Sequence, residues 1–66
     1  MTNEELEQQF TNIIREKLTD DQFWEWVRGW KDEEVLCEEA EDWFMNSLDK
    51  ENKEYEIEEL KRILNS

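Results

Sequence analysis

No proline interrupts the 66 residues, and glycine occurs once, at Gly29. Proline costs a helix interior about 3 kcal/mol and glycine about 1 kcal/mol, so the chain carries almost nothing that stops a helix. Its apolar residues recur at spacings of three and four, the period of one helical face. The pattern predicts an all-α fold, a compact bundle of three to four short helices that makes residues 1–66 a single helical domain. Burial is only marginally sufficient at this length, and four Trp and three Phe supply much of the apolar area available for a core.

Local signals set the expected boundaries. Thr2-Asn3-Glu4-Glu5 has the capping-box form and predicts a first helix over 3–18, with Leu6, Phe10, Ile13, Ile14 and Leu18 on one face. A second such box, Thr19-Asp20-Asp21-Gln22, predicts a helix over 20–29 that breaks at Gly29. Asp32 is the expected cap of a third helix, 33–48, running through Leu36, Ala40, Trp43, Phe44 and Leu48. Residues 49–53, DKENK, read as a loop before a last helix, 54–64, that carries Ile57, Leu60, Ile63 and Leu64. Phe10, Ile14, Phe23, Val27, Trp43, Phe44 and Leu60 occupy the middles of the apolar faces and are the expected core.

Catalysis finds little support. Without histidine the commonest general base and the usual zinc ligand are missing, and Cys37 has no partner of the kind that makes a catalytic thiolate. Cys37 is expected to be a buried packing residue; a lone cysteine forms no internal disulfide, in keeping with a reducing compartment. DKENKEYEIEEL fails as a calcium loop: Glu54 replaces the glycine and Leu60 the closing Glu. Carboxylate pairs arise by chance in so acidic a chain. No enzyme, cofactor or metal site is expected.

The net charge of −12 and pI of about 4.2 repel phosphates and anionic lipid, so neither direct nucleic acid nor membrane is an expected partner. With no apolar run long enough to span a bilayer and no signal-peptide features in MTNEELEQQF, the expected location is cytoplasmic.

Charge is unevenly placed. Residues 1–31 hold seven acids and four bases, whereas residues 32–59 hold thirteen acids and two bases. Glu4, Glu5, Asp20, Asp21, Glu33 and Glu34 fall in expected first turns, where carboxylates offset the helix dipole, and Glu58 stands one turn from Arg62. Glu38, Glu39, Glu41 and Asp42 have no Lys or Arg three or four places away, and Glu34–Glu38 and Glu38–Asp42 are like-charge pairs. One reading is plain solubility. The other is nucleic-acid mimicry, with Glu34, Glu38, Glu41 and Asp42 as one outward strip that Glu39, Asp49 and Glu51 extend.

A specific inhibitor also needs an apolar anchor, because charge alone is screened within about 8 Å at physiological salt. In FWEWVRGW, residues 23–30, Phe23, Val27 and Trp30 centre one helical stripe, and Trp24 and Trp26 flank it about 160° apart at 100° per residue. One of the two is expected at a rim; Trp24 is preferred, with Arg28 able to stack on it.

In size, acidity, aromatic content and lack of catalytic residues the chain resembles the small accessory proteins of bacteriophages, among them DNA-mimic inhibitors and anti-CRISPR proteins. The resemblance implies inhibition of a basic nucleic-acid-binding protein, such as a nuclease, polymerase or Cas effector, by occupying its DNA or RNA site. The alternative is a helical protein–protein interaction module or homodimer that uses the Trp24 edge without mimicry.

Overall fold

Thr2 begins the first helix as its sequence predicts: its hydroxyl accepts from the Glu5 N–H at 3.2 Å, and the Thr2 N–H donates to the Glu5 carboxylate at 3.1 Å. A computed structural model describes residues 2–65 and places four helices among them, with no strand. Helix α1 spans Asn3–Asn12 and continues into a π-helical turn, Ile13–Lys17; α2 is Asp20–Val27, α3 Cys37–Ser47 and α4 Lys50–Leu64. The chain is an all-α bundle.

The π turn closes with the Leu18 N–H donating to the Ile13 carbonyl at 2.9 Å, and Leu18 is already extended. Thr19 then repeats the capping box with Gln22, so the next helix starts without a glycine.

α1 packs against α3 and α4, and α2 against α4. Where they meet, Phe10 stacks on Phe44 with centroids 4.0 Å apart, and Trp26 meets Phe10 edge-on at 5.5 Å. Leu6, Phe10, Val27, Val35, Phe44 and Leu60 are fully buried. Of the expected core only Trp43 falls short: it is partly buried, packed against the core. The Cα radius of gyration, 10.9 Å, is that of a close-packed chain of this length, for which about 11 Å is typical.

Two boundaries differ from the expectation. α3 starts at Cys37, not after Asp32, and its N-cap, Leu36, makes no side-chain capping bond. The reason lies in Val35. Nine residues before Phe44, it would stand on the opposite face of a helix reaching back to residue 33, at 100° per residue. With residues 34–36 outside any helix and Leu36 extended, neighbouring side chains point opposite ways, and Val35 is 2% exposed while Leu36 is 69% exposed. Leu36, expected on the apolar face, is turned to solvent.

DKENK is no loop. Asp49 caps α4 by accepting from the Asn52 N–H at 2.9 Å, and residues 50–53 form its first turn. Lys53 points inward with Ile57 and Leu60, four and seven places on, and is itself buried.

α2 stops near Gly29 as expected, but no described residue has a positive φ. Glycine serves close approach instead, since a Cβ at Gly29 would lie 3.2 Å from the Trp26 carbonyl oxygen.

Phe10→Ala removes the ring shared by α1, α2 and α3. Such truncations cost about 3–5 kcal/mol, most of what a domain this small has. The expected outcome is loss of the cooperative melting transition in far-ultraviolet circular dichroism, with Gln8→Ala, an exposed position on the same helix, melting as the wild type does.

Candidate functional site

Burial sorts the carboxylates. Among the described residues, Glu7, Glu41, Glu56 and Glu59 are partly buried and every other acid is exposed. All four have partners. Lys53 Nζ donates to Glu7 Oε2 at 2.8 Å and stands 5.9 Å over the Phe44 ring. The Arg15 guanidinium holds Glu41 through two nitrogens, with Nε donating at 3.0 Å. Trp26 Nε1 donates to Glu56 Oε2 at 2.9 Å, and Arg62 pairs with Glu59, not with Glu58, at 2.7 Å.

This arrangement breaks up the expected acidic strip. Glu41 is turned inward to Arg15, and Glu34 lies in the link before α3, so neither shares a helical face with Asp42. Because α3 starts late, Glu38 and Glu39 occupy its first turn, where they offset the dipole that Glu33 and Glu34 were expected to meet. Glu38 and Asp42 remain a like-charge pair one turn apart, exposed, with Glu39 on the adjoining flank. Asp49 is spent as the cap of α4, and Glu51 is an exposed first-turn acid of that helix.

Trp24 is the outer of the two flanking tryptophans, as expected; Trp26 is 3% exposed. Trp24 is still partly buried, meeting Phe23 edge-on at 5.6 Å. Arg28 does not stack on it; the cation over a ring among the described residues is Lys53 over Phe44. Cys37, the first residue of α3, is partly buried against the core instead of fully buried.

Two features escaped the sequence. Leu36 is the most exposed of the large apolar residues among those described, and it sits between Asp32, Glu33 and Glu34 on one side and Glu38, Glu39 and Asp42 on the other. The second is a cleft of about 150 Å³ where the end of α2 faces α4. Trp26, Trp30 and Tyr55 line it together with Glu25, Glu56, Glu59 and Arg62. Trp26 and Trp30 lie 5.3 Å apart at 59°, and Trp30 is stacked on Trp43 at 4.0 Å with nearly parallel rings. Burial raises the Glu56 carboxyl above its ordinary pKa; the Trp26 hydrogen bond works against this, and Glu59 adds to it.

No group of His, Cys, Asp and Glu among the described residues is arranged to hold a metal ion, and no helix there is long and apolar enough to cross a membrane. The chain matches no family model, no curated protein and no solved structure.

Glu56→Gln tests the half-buried charge. Glutamine keeps an oxygen for the Trp26 N–H and removes the desolvated anion. Since the folded chain holds the Glu56 proton more tightly than the unfolded chain, the wild type gains stability as pH falls from neutral through that raised pKa. Urea titrations are therefore expected to find the variant at least as stable at pH 7, and its advantage shrinking as pH falls. An advantage that grows on acidification refutes the assignment.

Proposed function

We propose that this chain is a binding protein whose partner is a basic nucleic-acid-binding protein, and that it acts by occupying the partner's DNA or RNA site. The observation that carries the reading is the segment from Asp32 to Asp42. Its exposed acids, Asp32, Glu33, Glu34, Glu38, Glu39 and Asp42, form no salt bridge among the described residues, Glu38 alone feeling the charge of Arg15, and Leu36 projects among them. Unpaired carboxylates give long-range attraction and a fast encounter with a positive surface, and a desolvated apolar contact slows release. Leu36 takes the anchoring role assigned from sequence to Trp24, because it is exposed and lies within the charged segment.

Glu33, Glu34 and Asp42 are suited to test this, since none pairs with a base and none lies in a first helical turn. Charge reversal of all three to lysine is expected to leave the circular dichroism spectrum intact and abolish capture of the partner from lysate. Leu36→Ser is expected to weaken capture without changing its salt dependence. Wild-type capture should fall steeply with ionic strength and yield to competing DNA or RNA. Capture that survives the triple variant, high salt and competing nucleic acid would refute mimicry.

A further inference from the structure

The cleft between the end of α2 and α4 has walls and charge that the acidic segment does not explain. Three aromatic rings, from α2, the turn after it and α4, line it, together with three carboxylates and a single guanidinium. That guanidinium, Arg62, is already taken by Glu59, which leaves Glu56 with the Trp26 N–H and no cation. We propose that this cleft is a receptor for a cationic side chain, arginine or lysine, with Trp26, Trp30 and Tyr55 as its aromatic walls and Glu56 as its counter-charge. The source of the cation rests on the reading above: it is a side chain of the basic partner.

The chemistry selects the ligand. Aromatic faces attract alkylammonium and guanidinium groups, most strongly when water is excluded. A neutral apolar group would leave the Glu56 carboxylate desolvated and uncompensated, and an anion would be repelled by Glu25, Glu56 and Glu59. A metal ion needs several converging oxygen ligands, and no group of His, Cys, Asp and Glu among the described residues is arranged to hold one. The volume equals that of about five waters, room for a guanidinium or ammonium head and its nearest methylenes.

Position agrees with chemistry. Trp30, on the cleft wall, stacks on Trp43, and Trp43 stands one helical turn after Glu39 on α3. The cleft therefore adjoins the acidic segment across one pair of stacked rings, so a basic surface resting on Glu38, Glu39 and Asp42 has a side chain within reach of it. Tyr55, at 60% exposed, forms the outer wall.

The test needs no partner. The full ¹⁵N-labelled chain is titrated with N-acetyl-arginine methylamide, N-acetyl-lysine methylamide, the uncharged N-acetyl-glutamine methylamide, and choline, reading the four Trp indole N–H signals. The expected result is a saturable shift at Trp26 and Trp30 but not Trp24, with a dissociation constant on the order of 1–10 mM for the arginine or lysine amide and no saturation with glutamine. Glu56→Gln keeps the Trp26 hydrogen bond, and Tyr55→Ala removes an exposed ring, so both variants fold; each is expected to weaken the cation about tenfold. No saturation, equal response to the glutamine amide, or equal affinity in both variants overturns the receptor. Choline binding about tenfold tighter than both amides overturns the side-chain assignment in favour of a free quaternary ammonium. Lysate capture can fail while this titration succeeds, so loss of the mimicry reading and loss of the receptor are told apart.

Discussion

The stacking of Phe10 on Phe44 is the contact on which the bundle depends, because all four helices meet around it. Phe10 comes from α1 and Phe44 from α3; Trp26 brings α2 against the edge of Phe10, and Lys53 brings α4 over the face of Phe44. A chain of 66 residues buries too little surface for redundancy, so one pair of rings carries work that a larger domain spreads over many contacts. It also explains why Lys53 is tolerated inside. The ring takes one side of the ammonium and Glu7 satisfies another.

Around this centre, electrostatics acts by exclusion. A carboxylate moves toward the interior only where a donor awaits it, and for three of the four the donor comes from far along the chain: Lys53 for Glu7, Arg15 for Glu41, Trp26 for Glu56. Desolvation consumes much of the Coulomb energy of such pairs, so their main effect is on position rather than stability. Each ties a particular residue of one helix to a particular residue of another, and a slipped packing leaves a charge unpaired. Acids without a donor stay in water, which is why those of residues 32–42 face outward.

What the sequence makes legible is what spans four residues or one helical face. Thr2 and Thr19 write their capping boxes locally, and the angular spacing of Trp24 and Trp26 requires that one of them lie at a rim without fixing which. The misread positions depend on distant partners. Lys53 is polar until Glu7, 46 residues away, makes it a core residue, and with that contact unseen its helix turn passes for a loop. Glu41 lacks a base three or four places away, yet Arg15 lies 26 residues off. Val35 and Leu36 exchange places for a different reason: helical periodicity buries Leu36, whereas an extended link buries Val35, and only the tertiary packing of the core decides between them. The cleft was out of reach for the same cause, since Trp30 and Tyr55 become neighbours only once α2 is laid against α4.

Trp26 joins the two regions that matter. Its ring touches Phe10 in the core, and its indole N–H reaches Glu56 in the cleft. The stretch FWEWVRGW is thus core over its helical part and surface over its turn, and Gly29 is where one becomes the other. Without a Cβ, Gly29 lets the chain fold close over the Trp26 carbonyl and carries Trp30 out of the helix onto Trp43. An unbroken path of rings then runs from Phe44 through Phe10, Trp26 and Trp30 to Trp43 at the edge of the acidic segment. Close-packed interiors are stiff and transmit strain. A charge settling against Glu56 therefore acts on the residue that anchors α2 to the core, so that occupation of the cleft and the stability of the bundle are linked through one side chain.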